Sequence, residues 1–196
     1  METLLEILPL KSTSSDKWLQ EAVRNFDEFV VDHAACERKA SALAMSFVVK
    51  FSDKTKLIEP MVSLAREELA HFHEVYRLII KRGLALGMDE KDPYVKLLLK
   101  RVRHGRDEYF LDRLLVGSVI EARGCERFLM MGRHLEDPVL AQFYHRLGRE
   151  EAGHYKIFLK IAYQYFPREE VDSRMDFFLD AEAESIEAVP VRARVH

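Results

Sequence analysis

Two short segments of the sequence each place a glutamate three residues before a histidine. Glu68 and His71 form the first pair, and Glu151 and His154 form the second, 83 residues further along the chain. Residues three apart lie on the same face of a helix, so each pair would present one carboxylate and one imidazole together. Both pairs stand in an R-E-E-x-x-H frame. Carboxylates and imidazoles suit iron or manganese and need no thiolate, so the repeat indicates a metal site.

A single glutamate precedes each pair at nearly the same spacing. Glu37 lies 31 residues before Glu68, and Glu121 lies 30 residues before Glu151. Both stand in apolar segments, where a carboxylate is costly unless it is paired or bound to a metal. Four-helix bundles that bind two metals use one glutamate from each of two helices and a Glu-x-x-His pair from each of the others. The predicted metal ligands, which are also the predicted catalytic residues, are Glu37, Glu68, His71, Glu121, Glu151 and His154. Ordinary surface pairs are the simpler alternative.

The elements that would position these residues are predicted to be helices. Periodicity and capping residues indicate long helices over about 16–51, 53–82, 107–134 and 138–166, a basic helix over 93–104, and an acidic helix over 168–187. The segment 83–106 then forms the crossover between two helical hairpins. The predicted fold class is all-α, a ferritin-like four-helix bundle with a long crossover containing a short helix and an extra C-terminal helix. We expect one domain over 1–187 and a tail over 188–196.

Composition indicates a compact soluble protein. The chain has 196 residues, a net charge of −3 and two cysteines, which are too few for a disulfide framework. No run approaches the roughly 20 apolar residues that cross a bilayer. The first residues lack the basic start and apolar core of a signal peptide. We therefore expect a cytoplasmic protein that has no membrane partner.

Two smaller groups of residues are candidates for supporting roles. Glu67 and Glu150 directly precede Glu68 and Glu151, which are predicted to bridge the two metals. They could accept hydrogen bonds from the ligand histidines, although a surface role is the alternative. Small side chains one turn from the single glutamates could leave a cavity or could allow close helix packing. The residues assigned to a substrate pocket are His33, Ser41, Gly117, Cys125 and Phe128. His33 would otherwise be a core histidine.

Positive charge is concentrated between Lys96 and Arg113. A basic patch on a mildly acidic protein can attract phosphate groups without causing non-specific binding of anions over the whole surface. A solvated helix face is the alternative explanation. The predicted phosphate contacts are Lys96, Lys100, Arg101 and Arg103.

Five motifs extend the pattern beyond the ligands. They are L-L-x-I-L-P-L at 4–10, H-A-A-C-E-R-K-A at 33–40, A-R-E-E-L-A-H-F at 65–72, D-x-L-L-V-G-S-V-I-E-A-R-G-C-E-R-F at 112–128, and R-E-E-A-G-H-Y at 149–155. With these motifs the chain resembles the tRNA hydroxylases of the MiaE type, in the ferritin-like di-iron superfamily. The resemblance covers about residues 3–187 and all six ligand positions, and the tail beyond 188 carries none of it.

The resemblance implies a di-iron monooxygenase that hydroxylates the isopentenyl group of 2-methylthio-N6-isopentenyladenosine beside the tRNA anticodon. It implies two iron ions, dioxygen as co-substrate, and the tRNA anticodon stem-loop as partner. The two electrons would come from a separate reductase or electron carrier, because the chain contains neither Gly-x-Gly-x-x-Gly nor Cys-x-x-Cys. A bacterioferritin-like ferroxidase or iron-storage protein is one alternative, and a non-catalytic RNA-binding bundle is another. The sequence leaves the oligomeric state open.

Overall fold

A computed structural model describes residues 8–196. Residues 1–7, on which the start of the L-L-x-I-L-P-L motif and the expected absence of a signal peptide rest, lie outside the described residues. The helices are α1 Asp16–Arg24, α2 Phe26–Lys50, α3 Thr55–Lys81, α4 Pro93–Leu99, α5 Arg106–His134, α6 Pro138–Tyr165 and α7 Arg168–Ala188. Between residues 8 and 196 there is no strand, which confirms the all-α prediction. No helix in this range is both long and apolar enough to span a bilayer.

The described chain forms two compact units. The α2–α3 unit comprises residues 21–90 and 192–195, and the α4–α7 unit comprises the described residues up to 20, residues 91–191 and residue 196. The expectation of a single domain over 1–187 stays a prediction.

The α2–α3 unit is a helical hairpin. Helices α2 and α3 pack against each other, and the hydroxyl of Ser41 on α2 donates a hydrogen bond to the carbonyl of Ala65 on α3 at 2.7 Å. Gly83, with φ of 70°, ends α3. The backbone amides of Gly83 and Leu84 donate back to the carbonyls of Ile80 and Ile79 at 3.0 and 3.1 Å. Glycine is favoured at this position because the left-handed conformation has no Cβ penalty there.

The segment 192–195 also belongs to the α2–α3 unit, and it packs onto α2. Asp32 on α2 accepts hydrogen bonds from the guanidinium of Arg194 at 3.1 Å and from the backbone amide of Val195 at 2.8 Å. The side chains of Ala193 and Val195 are buried. Residues predicted as a tail are therefore held against α2 by part-buried hydrogen bonds to Asp32.

In the α4–α7 unit, α5 lies at the centre and packs against α4, α6 and α7. Asp92 and Asp137, each followed by a proline, cap α4 and α6, and each carboxylate accepts hydrogen bonds from two backbone amides of the first turn. Helices α5 and α6 approach closely at glycines. A Cβ at Gly117 would lie 2.7 Å from the ring of Phe158. The small residue at 117 therefore allows close packing, one of the two explanations that the sequence left open.

Two predicted helices were too long. The helix predicted over 16–51 is interrupted at Asn25, whose φ of −109° and ψ of 48° leave the helical region. Its side-chain amide donates to the carboxylate of Glu21 at 2.8 Å. The helix predicted over 93–104 ends at Leu99. The backbone amide of Arg103 donates instead to the carboxylate of Asp112 at 2.8 Å, a contact nine residues away that sequence periodicity does not reveal.

Candidate metal centre

Three predicted ligands converge within the α2–α3 unit. Glu37 on α2 and Glu68 and His71 on α3 are all buried. The Nδ1 atom of His71 lies 3.6 Å from Oε2 of Glu37 and 3.7 Å from Oε2 of Glu68. These separations are too long for hydrogen bonds. Two donors that each lie about 2.1 Å from one metal ion can be at most about 4.2 Å apart, so His71 is close enough to each glutamate to share an ion with it.

The other three predicted ligands lie in the α4–α7 unit. Glu121 on α5 and Glu151 and His154 on α6 are buried, with exposed fractions of 7%, 2% and 2%. The Nδ1 atom of His154 lies 2.9 Å from Oε2 of Glu151, at hydrogen-bonding distance. Glu151 and His154, like Glu68 and His71, each offer one metal-ligating atom. Each unit therefore carries one buried glutamate and one buried Glu-x-x-His pair.

His33 contacts a predicted ligand. Its Nε2 atom lies 2.7 Å from Oε1 of Glu37, and both side chains are buried. A carboxylate accepts hydrogen bonds but does not donate them, so the imidazole is the donor. The sequence assigned His33 to a substrate pocket or to the core, and neither assignment included this contact with Glu37.

The other predicted pocket residues make packing contacts between helices. The thiol of Cys125 on α5 donates to the carbonyl of Gly148 on α6 at 3.0 Å, and burial raises the pKa of this thiol well above its usual range. The ring of Phe128 packs against Tyr144, with 5.8 Å between ring centroids. A pocket role for Ser41, Gly117, Cys125 and Phe128 stays a prediction.

Glu67 and Glu150 face solvent more than the ligand residues do. The hydroxyl of Ser63 donates to Glu67 at 3.1 Å, and the guanidinium of Arg146 donates to Glu150 at 2.9 Å. Neighbouring helical positions differ by about 100°, so a residue beside a buried ligand points away from it. These contacts favour the surface role for both glutamates, and their proposed bond to the ligand histidines stays a prediction.

Comparison with known proteins identifies the family. The family profile described as tRNA-(MS2IO6A)-hydroxylase (MiaE) matches residues 3–196. The chain belongs to this family. The match includes the tail beyond residue 188, in which the sequence alone showed no resemblance. The predicted family is therefore confirmed.

Two relatives carry the same printed description, tRNA 2-(methylsulfanyl)-N(6)-isopentenyladenosine(37) hydroxylase. The protein from Pseudomonas putida is 36% identical over 181 residues, which is 92% of this chain and 88% of the relative. The protein from Salmonella typhimurium is 36% identical over 141 residues, which is 72% of this chain and 52% of the relative.

A solved structure shows a similar fold. It is described as protein 43 with aldehyde deformylating oxygenase activity from Synechococcus, with a TM-score of 0.91 and 34% identity, and the similarity covers 95% of this chain and 94% of that one. The ferritin-like fold class predicted from the sequence is confirmed.

The basic segment of this MiaE-family chain is partly neutralised. The guanidinium of Arg101 pairs with Glu184 at 2.7 Å, and that of Arg103 pairs with Asp112 at 2.8 Å. Burial tends to raise the pKa of Asp112, but hydrogen bonds from Arg174 and Arg103 outweigh it and hold this pKa below its usual range. Lys96 and Lys100 are exposed. Of the four predicted phosphate contacts, these two lysines are the better placed to meet an external phosphate.

Sequence reasoning missed a buried charge network in the α4–α7 unit. Arg123 is fully buried and donates to both carboxylate oxygens of Glu182 on α7, at 2.8 and 2.9 Å. It also pairs with Glu126, which accepts bonds from the amide and hydroxyl of Ser14 at 2.7 and 2.8 Å. Burial, together with the nearby Arg123, lowers the pKa of Arg127 to about 10. The signal available in the sequence was four charged residues among apolar ones over 121–128.

Proposed function

We propose that this MiaE-family protein hydroxylates the isopentenyl group of 2-methylthio-N6-isopentenyladenosine next to the anticodon of tRNA. The observation that carries the proposal is the family match over residues 3–196. Both relatives are also named as hydroxylases of this nucleoside. The buried Glu-x-x-His pairs support it, because a hydroxylase of this kind needs a site for oxygen chemistry.

We propose two iron ions as the cofactor. The donor set fits them, because oxygen and nitrogen ligands suit iron and all six side chains are buried. The residues that would hold the ions are the single glutamates Glu37 and Glu121, the glutamates of the two pairs, Glu68 and Glu151, and the histidines His71 and His154. When bound, the ions would supply the electron transfer that reduces dioxygen.

The chain's own residues would prepare this chemistry by position and by exclusion of water. The carboxylates and imidazoles are held on long helices whose packed faces keep bulk water from the ligand atoms, since the exposed fraction of every ligand is 7% or less. One oxygen atom would enter an allylic C–H bond to give an alcohol, and the other would leave as water after uptake of two electrons and two protons. A separate reductase or electron carrier would supply the electrons. We propose the cytoplasm as the compartment, because the substrate is tRNA.

The proposal is tested by a reaction with labelled gas. Purified, iron-loaded and reduced protein is mixed with 18O2 and with tRNA that carries the isopentenylated nucleoside. The tRNA is then digested, and the masses of the nucleosides are measured by mass spectrometry. We expect the nucleoside to gain one labelled oxygen atom. Rapid iron oxidation with an unmodified nucleoside, when electrons are supplied, would instead indicate a ferroxidase. Deformylation of an aldehyde without tRNA modification would indicate the activity named for the Synechococcus protein.

Lys96 and Lys100 are proposed as phosphate contacts of the tRNA. They lie four residues apart at the end of α4 and are exposed. Each phosphate contact releases condensed counterions, so the double substitution Lys96→Ala/Lys100→Ala is expected to weaken tRNA binding and to reduce the slope of log K against log salt by about 1.5. Fluorescence anisotropy over a series of KCl concentrations measures both quantities.

The matched control for the lysines is Arg101→Met. It removes one positive charge from the same segment, but Arg101 already pairs with Glu184, so the salt dependence per charge removed should change less. Unchanged tRNA affinity of the lysine variant at low salt would show that the phosphate contacts lie elsewhere on the protein.

A further inference from the structure

We infer that His33 is a positioning residue for Glu37, and that it makes the two proposed metal positions unequal. The inference rests on the proposed metal centre. It starts from one contact within the α2–α3 unit, in which Nε2 of His33 donates to Oε1 of Glu37 at 2.7 Å. His33 is fully buried and Glu37 is 4% exposed, so water does not compete for this bond.

The two carboxylate oxygens of Glu37 have different neighbours. Oε1 is held by His33, whereas Oε2 lies 3.6 Å from Nδ1 of His71. A carboxylate whose first oxygen accepts a hydrogen bond is set to bind a metal through the second. Partners of this kind fix the orientation of a ligand and adjust how strongly it donates to the metal.

The orientation of the His33 ring is restricted by its surroundings. It lies four residues before Glu37 on the same helix, so the two side chains are neighbours on one face. The ring of Phe29, which is also fully buried, lies beside it with 6.2 Å between centroids. The imidazole is therefore confined by packing as well as by its bond to the carboxylate.

The other half of the repeat differs at this position. Four residues before Glu121 the chain has Gly117, which carries no side chain. The space is filled by Phe158, because a Cβ at Gly117 would already lie 2.7 Å from its ring. The two halves thus repeat the ligands, but only the α2–α3 unit supplies an imidazole donor at this place in the repeat.

This difference predicts that removal of His33 affects the two metal ions unequally. His33 orients Glu37, whereas Gly117 offers no side chain to Glu121, so the loss should fall chiefly on the ion that Glu37 binds. Loss of a partner that orients a ligand typically lowers metal affinity by about 10- to 100-fold. His33→Ala should therefore weaken one of two metal equivalents by about that factor and leave the other nearly unchanged.

The test is a titration of the metal-free full-length protein with Co2+, followed by calorimetry and visible absorption. The wild-type protein should bind two equivalents in two steps, and His33→Ala should weaken one of these steps. His33→Gln, whose amide can also donate, should recover part of the affinity. His73→Ala is the matched control, because His73 is an exposed histidine of the same unit.

The outcomes separate this inference from the proposed function. A wild-type protein that binds no metal would contradict the proposed centre itself. Two bound equivalents with unchanged affinities in His33→Ala would overturn the role of His33 alone, as would equal weakening of both steps. Loss of a whole equivalent in His33→Gln would make His33 a metal ligand instead of a positioning residue. If His33→Ala fails to fold, the titration of His33→Gln decides between these results.

Discussion

Glu151→Gln is expected to reduce hydroxylation by at least about 10³-fold, equivalent to about 4 kcal/mol of transition-state stabilisation. Glu151 is 2% exposed, and its Oε2 atom faces Nδ1 of His154 at 2.9 Å. The amide has nearly the shape of the carboxylate, but it has no charge and would be a much weaker ligand for a cation. Single-turnover formation of the hydroxylated nucleoside, together with the iron content per chain, measures the effect.

The adjacent residue provides the matched comparison. Glu150→Gln makes the same chemical change one position earlier, where the carboxylate is part-exposed and accepts a bond from Arg146. We expect it to change activity by less than about two-fold, which is within the usual range for exposed ion pairs. An equal loss in both variants would support the role that the sequence assigned to Glu150. Full activity and full iron content of Glu151→Gln would contradict the proposed ligand set.

Arg123→Met is expected to lower the free energy of unfolding by about 3–5 kcal/mol. Arg123 is fully buried and pairs with Glu126 and Glu182, which are 2% and 0% exposed. Removal of the guanidinium would leave two carboxylates buried without their counter-charge. For a chain of this length such a loss corresponds to a decrease in Tm on the order of 10 °C. Urea unfolding and calorimetry measure the two quantities.

Arg101→Met is the control for this stability prediction, because it breaks the exposed pair with Glu184. Its effect should be about 0–1 kcal/mol. The double variant Arg123→Met/Glu182→Leu should lose less unfolding free energy than the sum of its two single variants, since one of the two unpaired carboxylates is then absent. A loss for Arg123→Met as small as that of the control would show that the network contributes little to stability.

Local patterns in the sequence were sufficient to predict the helical repeat. Glu68 and His71, and likewise Glu151 and His154, are three residues apart, so helix geometry alone places each pair on one face. The caps at Asp92 and Asp137 depend on residues directly next to the helices they start, and the structure has both. Features of this kind can be read from sequence because the atoms that cause them are near each other in the chain.

Features that depend on distant residues were missed or left open. Arg101 and Arg103 were predicted as phosphate contacts, but their partners Glu184 and Asp112 lie 83 and 9 residues away. The absence of a side chain at Gly117 indicated either a cavity or close packing, and the contact with the ring of Phe158 comes from another helix, 41 residues further along the chain.

The sequence by itself determined the all-α class, the two matched sets of carboxylate and imidazole, and the family, because these depend on spacing and on motifs along the chain. Only the tertiary structure decided which charged groups neutralise one another inside the α4–α7 unit. It also decided which carboxylate oxygen of Glu37 accepts the hydrogen bond from His33. The spacing of His33 and Glu37 allows a contact without requiring one. Burial removes water as a competing partner and so makes the bond between them favourable.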